Sequence, residues 1–209
     1  MSRTPKSAMV YVVDDDAAVR DSIRWLLVGH DFQVRTFGSA EAFLSHYDPE
    51  RIGCLLVDVR MDGMSGLELQ DHLLASDLRL PLAFITGHGD LPMAVETMKK
   101  GAVDFIEKPF DEDQLTSLVE RLIEQATAAQ TTRAECARRR ALLAKLTSRE
   151  YQVLQCIVAG RLNKQIAMDL GISIKTVEAH RSNVMTKLEA NTMADMLKVA
   201  IANNLLKDQ

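Results

Sequence analysis

The most constraining feature of this chain is an alternation: five short apolar runs separated by segments of helical period over residues 1–125. The runs at 9–13, 32–37, 53–57, 81–86 and 103–107 have strand length. Between them, Ala17 to Val28 sets Val19, Ile23, Leu26 and Leu27 on one face and stops at Gly29. Ser39 is placed to cap a helix holding Ala42, Phe43 and Leu44. Gly66 opens a segment with Leu67, Leu69, Leu73 and Leu74, and Pro92 suits the first turn of a helix running to Gly101. Strand and helix in strict alternation make βαβ units, so a five-stranded, doubly wound parallel sheet with helices on both faces is predicted.

That fold brings the carboxyl ends of the strands together, and ligands of open α/β sheets bind there. Four of the ends carry polar chemistry: Asp14, Asp15 and Asp16; Asp58; Thr86; and Lys108 before Pro109. Hard carboxylate oxygens suit Mg²⁺, or Mn²⁺ in its place, held by one or two carboxylates plus water and phosphate oxygen. Asp15 and Asp58 are the direct ligands in this reading, Asp14 holds a metal-bound water, and the backbone carbonyl of Arg60 completes the shell. Lys108 supplies a point charge for a phosphoryl oxygen. The Thr86 hydroxyl donates to another. The Lys108–Pro109 bond is a candidate for a cis peptide. Taken singly each group has an ordinary reading, since an acidic run after a strand also suits a helix start.

The rest of the chain is written differently. From Pro109 to Gly160 there is neither Gly nor Pro, and residues 111–146 are rich in helix formers, either as one rod or as two helices broken near Thr131-Thr132. Residues 126–145 read as a helical linker, and 146–209 as an all-α domain of about four helices. Thr147 and Glu150 make a capping box. Helices over about 163–170 and 174–188 flank the turn Gly171-Ile172-Ser173, and another runs over about 192–205. Charge divides with this boundary. Residues 1–125 carry 12 basic and 22 acidic residues, and 126–209 carry 13 and 7. A basic all-α end joined to an acidic α/β unit makes the former the candidate for a polyanion.

Bulk composition narrows the remaining classes. Aromatic content of 5% argues against base stacking along single strands. Cys54, Cys136 and Cys156 are far apart with no CxxC spacing, so buried reduced thiols are expected. The start MSRTPKSAM has no apolar core of a signal peptide, and no apolar run approaches membrane-spanning length, so a cytoplasmic protein is expected.

The strings VVDDD, LLVDVRMDGMSG, FITGHGD and DFIEKPF resemble the receiver domain of two-component response regulators. The string LTSREYQVLQCIVAGRLNKQIAMDLGISIKTVEAHRSNVMTKL resembles the LuxR/NarL-type helix-turn-helix, and the two together resemble regulators of the FixJ/NarL type. The resemblance implies that Asp58 is the phospho-acceptor, Asp14 and Asp15 the acidic pair, Thr86 the switch hydroxyl and Phe105 the switch aromatic; as a switch or as an ordinary core aromatic, Phe105 is expected to be buried. It implies no enzyme beyond slow autodephosphorylation. The partners it implies are a sensor histidine kinase, double-stranded promoter DNA, a second copy of the chain on phosphorylation, and RNA polymerase. The family often has Pro where this chain has Asp62, a departure expected to loosen the loop and add negative charge near the metal. Arg60 and His88 occupy variable positions that bear on phosphoryl lifetime.

Within the second domain, helical spacing puts Ile174, Val177, Val184, Met185 and Leu188 in the core and Lys175, Glu178, Ala179, Ser182 and Thr186 opposite. The resemblance puts base-edge contacts near Glu178, Ala179 and Ser182. Asn163, Lys164, Lys175, Thr176 and Lys187 are assigned to phosphates. Arg181 falls in the apolar seam and is expected to pair with Glu150. Two rival readings are a haloacid-dehalogenase-like phosphatase with Asp14 as nucleophile, and a DNA-binding regulator controlled without phosphorylation.

Overall fold

A computed structural model of the chain describes residues 8–76, 78–87, 102 and 104–201. They divide into two compact units at residues 130 and 131. The helix expected over 92–101, the variable residue His88 and residues 202–205 of the last helix lie outside the described residues.

The first unit is built on five parallel strands: β1 (Met9–Val13), β2 (Gln33–Phe37), β3 (Gly53–Asp58), β4 (Leu82–Thr86) and β5 (Asp104–Glu107). Their order is β2-β1-β3-β4-β5. The described helices of this unit are α1 (Ala17–Gly29), α2 (Ala40–His46) and α3 (Gly66–Ala75), with the first part of α4 (Glu112–Ala144). Alternation along the strands sends side chains to two cores. Val10, Val12, Leu56 and Ile85 join Ile23 and Leu27 of α1 and Leu115, Leu118 and Leu122 of α4. Tyr11, Val13, Leu55, Val57 and Phe84 join Phe43 of α2 and Leu69 and Leu73 of α3. Each such fully buried aliphatic side chain contributes about 1.5–3 kcal/mol. The doubly wound fold read from the sequence is the fold observed.

The caps explain where the helices start. Asp16 accepts from the Ala18 amide at 2.8 Å, Ser39 from Ala42 at 3.2 Å, and Ser65 from Glu68 at 3.3 Å. Gly66 is fixed by packing, because a Cβ there would lie 2.2 Å from the Asp58 carbonyl oxygen. That close approach seats the start of α3 directly behind the end of β3.

Residues 112–144 of the Gly- and Pro-free stretch form one helix. α4 runs unbroken through Thr131-Thr132, and the alternative of two helices is not what forms. The second unit continues with α5 (Ser148–Val158), α6 (Asn163–Leu170), α7 (Ile174–Lys187) and α8 (Met193–Ile201). Its core holds Leu142, Val153, Leu154, Ile157, Ile166, Val177, Val184, Leu188 and Met196. Gly171 closes α6 at φ 64°, left-handed backbone that favours glycine, and Ser173 starts α7 by accepting from the Thr176 amide at 3.0 Å. Among the described residues, no helix is long and apolar enough to cross a membrane.

Two burial expectations fail here. Ile174 was placed in the core by its spacing but is 45% exposed, because it is the first residue of α7 and precedes the turn that packs. Of the three cysteines only Cys54 is buried, its thiol pushed up by desolvation. Cys156 is half-buried, and Cys136, on α4, is exposed.

Candidate functional site

The strand ends converge as the topology requires. Asp14, Asp15 and Asp58 each present a carboxylate oxygen within 4.8 Å of the others'. Lys108 reaches across from the end of β5, its Nζ 2.8 Å from Asp14 Oδ2 and 2.9 Å from Asp58 Oδ2. The Lys108–Pro109 bond is cis. The donor set is hard oxygen throughout and partly open to solvent, which fits Mg²⁺.

The three carboxylates differ in surroundings. Asp14 is fully buried and accepts from Lys108 and from the Asp16 amide at 2.9 Å. Burial pushes its carboxyl above the ordinary range, opposed by those hydrogen bonds. Burial acts to lower the Lys108 ammonium, but its hydrogen bonds to Asp14 and Asp58 and their charges prevail, and its pKa ends above the ordinary lysine value. Asp58 keeps 13% of its side chain exposed, and its Oδ1 accepts from the Arg60 amide at 3.4 Å. Asp15 is exposed, and its Oδ2 accepts from the Asp62 amide at 3.0 Å.

The Asp62 N–H, a group proline lacks, anchors the loop to Asp15, two residues beyond β1. A second tie comes from α2, where Glu41 accepts from the Met64 amide at 3.2 Å. Neither contact was expected. Glu41 is 23 residues from its partner, and no local sequence signal marks that pairing.

Thr86 is nearly buried, and its hydroxyl donates to the Gly87 carbonyl at 2.9 Å. Phe105 corrects the expectation of a buried aromatic, being 40% exposed. It sits on β5, an edge strand, in register with buried Phe84 of β4 and on the face opposite Ile106.

In the second unit, the faces of α7 sort largely as predicted. Val177, Val184 and Leu188 are buried and Met185 is half-buried, while Lys175, Thr176, Glu178, Ala179, Ser182 and Thr186 are exposed. Lys164 is exposed on α6 and Asn163 is half-buried. The Thr176 hydroxyl sits 2.8 Å from the Ser173 hydroxyl. The polar partners differ from expectation. Arg181 donates to Asn163 at 3.2 Å rather than pairing with Glu150. Lys187 holds Glu150 instead, at 2.6 Å, while the Thr147 amide donates to the same carboxylate at 2.8 Å. Those bonds, Lys187 first, hold the Glu150 carboxyl below the ordinary range. The C-terminal end of α7 brings position 187 to buried Glu150, so the Lys187 ammonium is paired within the unit while a third of its side chain stays exposed.

Residues 10–120 match the response regulator receiver domain, and residues 144–200 match the luxR family of bacterial regulatory proteins. The chain is similar to the transcriptional regulatory protein FixJ of Bradyrhizobium diazoefficiens, with 44% identity over 199 residues that cover 95% of this chain and 97% of that one. It is similar to the solved structure of the response regulator StyR, with a TM-score of 0.86, 44% identity, and coverage of 93% of this chain and 98% of that one. A crystal structure of full-length FixJ from B. japonicum matches at a TM-score of 0.57 and 43% identity, covering 95% of this chain and 98% of that one.

Proposed function

We propose, from the premise that this chain belongs to the response regulator receiver family and carries a LuxR-type DNA-binding domain, that phosphorylation of Asp58 controls its binding to promoter DNA. The observation that carries this reading is the grouping of Asp14, Asp15 and Asp58 around the Lys108 ammonium. Asp14, Asp15, Asp58 and the Arg60 carbonyl would hold Mg²⁺ or Mn²⁺, which shields the charge of an incoming phosphoryl group. A carboxylate oxygen of Asp58 attacks phosphorus, and the bond to a kinase histidine nitrogen breaks. Lys108 then exchanges a carboxylate partner for a phosphoryl oxygen. The Thr86 hydroxyl leaves the Gly87 carbonyl for another. Phe105, exposed at the edge strand, turns inward as Thr86 moves, a two-state change that a phosphoryl group biases.

The output is in the second unit. Glu178, Ala179 and Ser182 read base edges in the major groove. Asn163, Lys164, Lys175 and Thr176 hold phosphates. A homodimer formed on phosphorylation binds a two-fold site and contacts RNA polymerase. The protein works in the cytoplasm, and its only turnover is slow loss of the phosphoryl group.

A phosphatase with Asp14 as nucleophile fits the geometry poorly. Asp14 is fully buried, whereas Asp58 keeps 13% of its side chain exposed. The test uses an acyl-phosphate donor with Mg²⁺ and intact-mass spectrometry. Wild type gains one phosphoryl group and Asp58→Asn gains none; equal gain by both would overturn the assignment.

A further inference from the structure

The loop between β3 and α3 is held at three points. The Gly66 amide donates to the Val59 carbonyl at 3.1 Å, the Met64 amide to Glu41 at 3.2 Å, and the Asp62 amide to Asp15 Oδ2 at 3.0 Å. Gly63, between the last two, takes φ 78° and lets the loop reverse between its anchors. The Asp62 N–H is therefore a donor fixed in place, and it points at the most exposed of the three clustered carboxylates.

We propose that Asp62 is a positioning residue for the metal site, acting through its backbone N–H on Asp15; this rests on reading Asp15 as a metal ligand. An exposed aspartate has free rotation about its side-chain bonds, and binding an ion costs that freedom. The Asp62 amide occupies one oxygen of Asp15 and leaves the other for the ion, so much of the ordering precedes binding. Groups that orient a ligand from outside the coordination shell affect metal affinity about as strongly as a weak ligand does. The chemistry at position 62 thus lies in the main chain. Proline removes the donor, and any other residue keeps it.

The test is titration of full-length protein with Mg²⁺ by calorimetry. Asp62→Pro binds roughly tenfold more weakly than wild type, and Asp62→Asn, which keeps the N–H, retains most of the affinity. Equal binding by Asp62→Pro and Asp62→Asn overturns the proposal. Amide hydrogen exchange on the wild-type chain reads the same contact without a substitution. The residue 62 amide is protected before and after Mg²⁺ is added, and exchange at the rate of an open loop amide overturns the proposal. Wild type that binds no Mg²⁺ overturns the reading of the metal site itself, and with it this role.

Discussion

At the scale of single residues, the site depends on places where backbone approaches backbone. Gly66 is one. A methyl group there would meet the Asp58 carbonyl oxygen at 2.2 Å, and a main-chain atom cannot swing aside. Gly66→Ala should destabilise the first unit by about 2 kcal/mol, read as a lower midpoint in chemical denaturation. Gly53 is the companion case, with the Met9 carbonyl oxygen 2.5 Å from its virtual Cβ. The grouping of Asp14, Asp15, Asp58 and Lys108 was legible from sequence because each follows or ends an apolar run, and parallel topology dictates that such ends meet. Asp62 and Glu41 were not legible. In each contact the donor is a main-chain amide, that of Asp62 to Asp15 and that of Met64 to Glu41, and an amide has no letter in the sequence. Phe105 shares its face with buried Phe84, yet it stands on an edge strand with a neighbour on one side only, a position that an apolar run does not reveal.

At the scale of elements, α7 has one face in the core of the second unit and an exposed face that the proposed function assigns to DNA. Its inner end, Lys187, closes on the α5 capping box, whose Glu150 is only 4% exposed. Lys187→Ala should lower the stability of the second unit by about 1–2 kcal/mol, with the salt dependence of DNA binding unchanged. Lys175→Ala should do the opposite. Stability holds, and the slope of log affinity against log salt falls by about 1. The same capping box predicts a pH response. The folded Glu150 value lies below its ordinary 4.5, so the unfolded chain holds more protons between the two. Stability is fully present above 4.5 and is lost as pH falls through the lowered value. Glu150→Gln removes that part of the acid sensitivity in denaturation curves. The box itself was visible in sequence as Thr147 and Glu150, three apart. The lysine that completes it was not, because it comes from 37 residues away across a turn whose angle only the fold sets.

At the scale of the whole molecule, two units with separate cores carry opposite charge. Residues 126–130 contain no charged side chain, so the basic excess belongs to the second unit entire. Each unit should answer its own ligand. Mg²⁺ at about a hundred times its dissociation constant adds about 2.7 kcal/mol to a unit that binds it only when folded. In calorimetric scans this moves the transition of the first unit, and an oligonucleotide moves that of the second. A Mg²⁺-induced shift confined to the second transition would contradict the assignment of roles. The change from alternating to all-helical sequence leads one to expect a first domain over 1–125 and a linker over 126–145, whereas the units divide at 130 and 131 and Leu142 joins the second core. Whether the connector was one helix or two was not decided by composition, since two threonines at 131 and 132 lower helix propensity by only a fraction of a kcal/mol each, too little to break α4.

The bridge from Lys108 to Asp14 and Asp58 has a consequence in plain charge counting. Three carboxylates against one ammonium leave the cluster at −2. A doubly charged ion brings that sum to neutrality, while a singly charged one leaves half of it unmet. The lysine thus sets which valence the cluster balances, apart from the role proposed for it at a phosphoryl group. Without it the same three aspartates would match a trivalent ion, so Lys108→Met should shift preference from Mg²⁺ toward lanthanides.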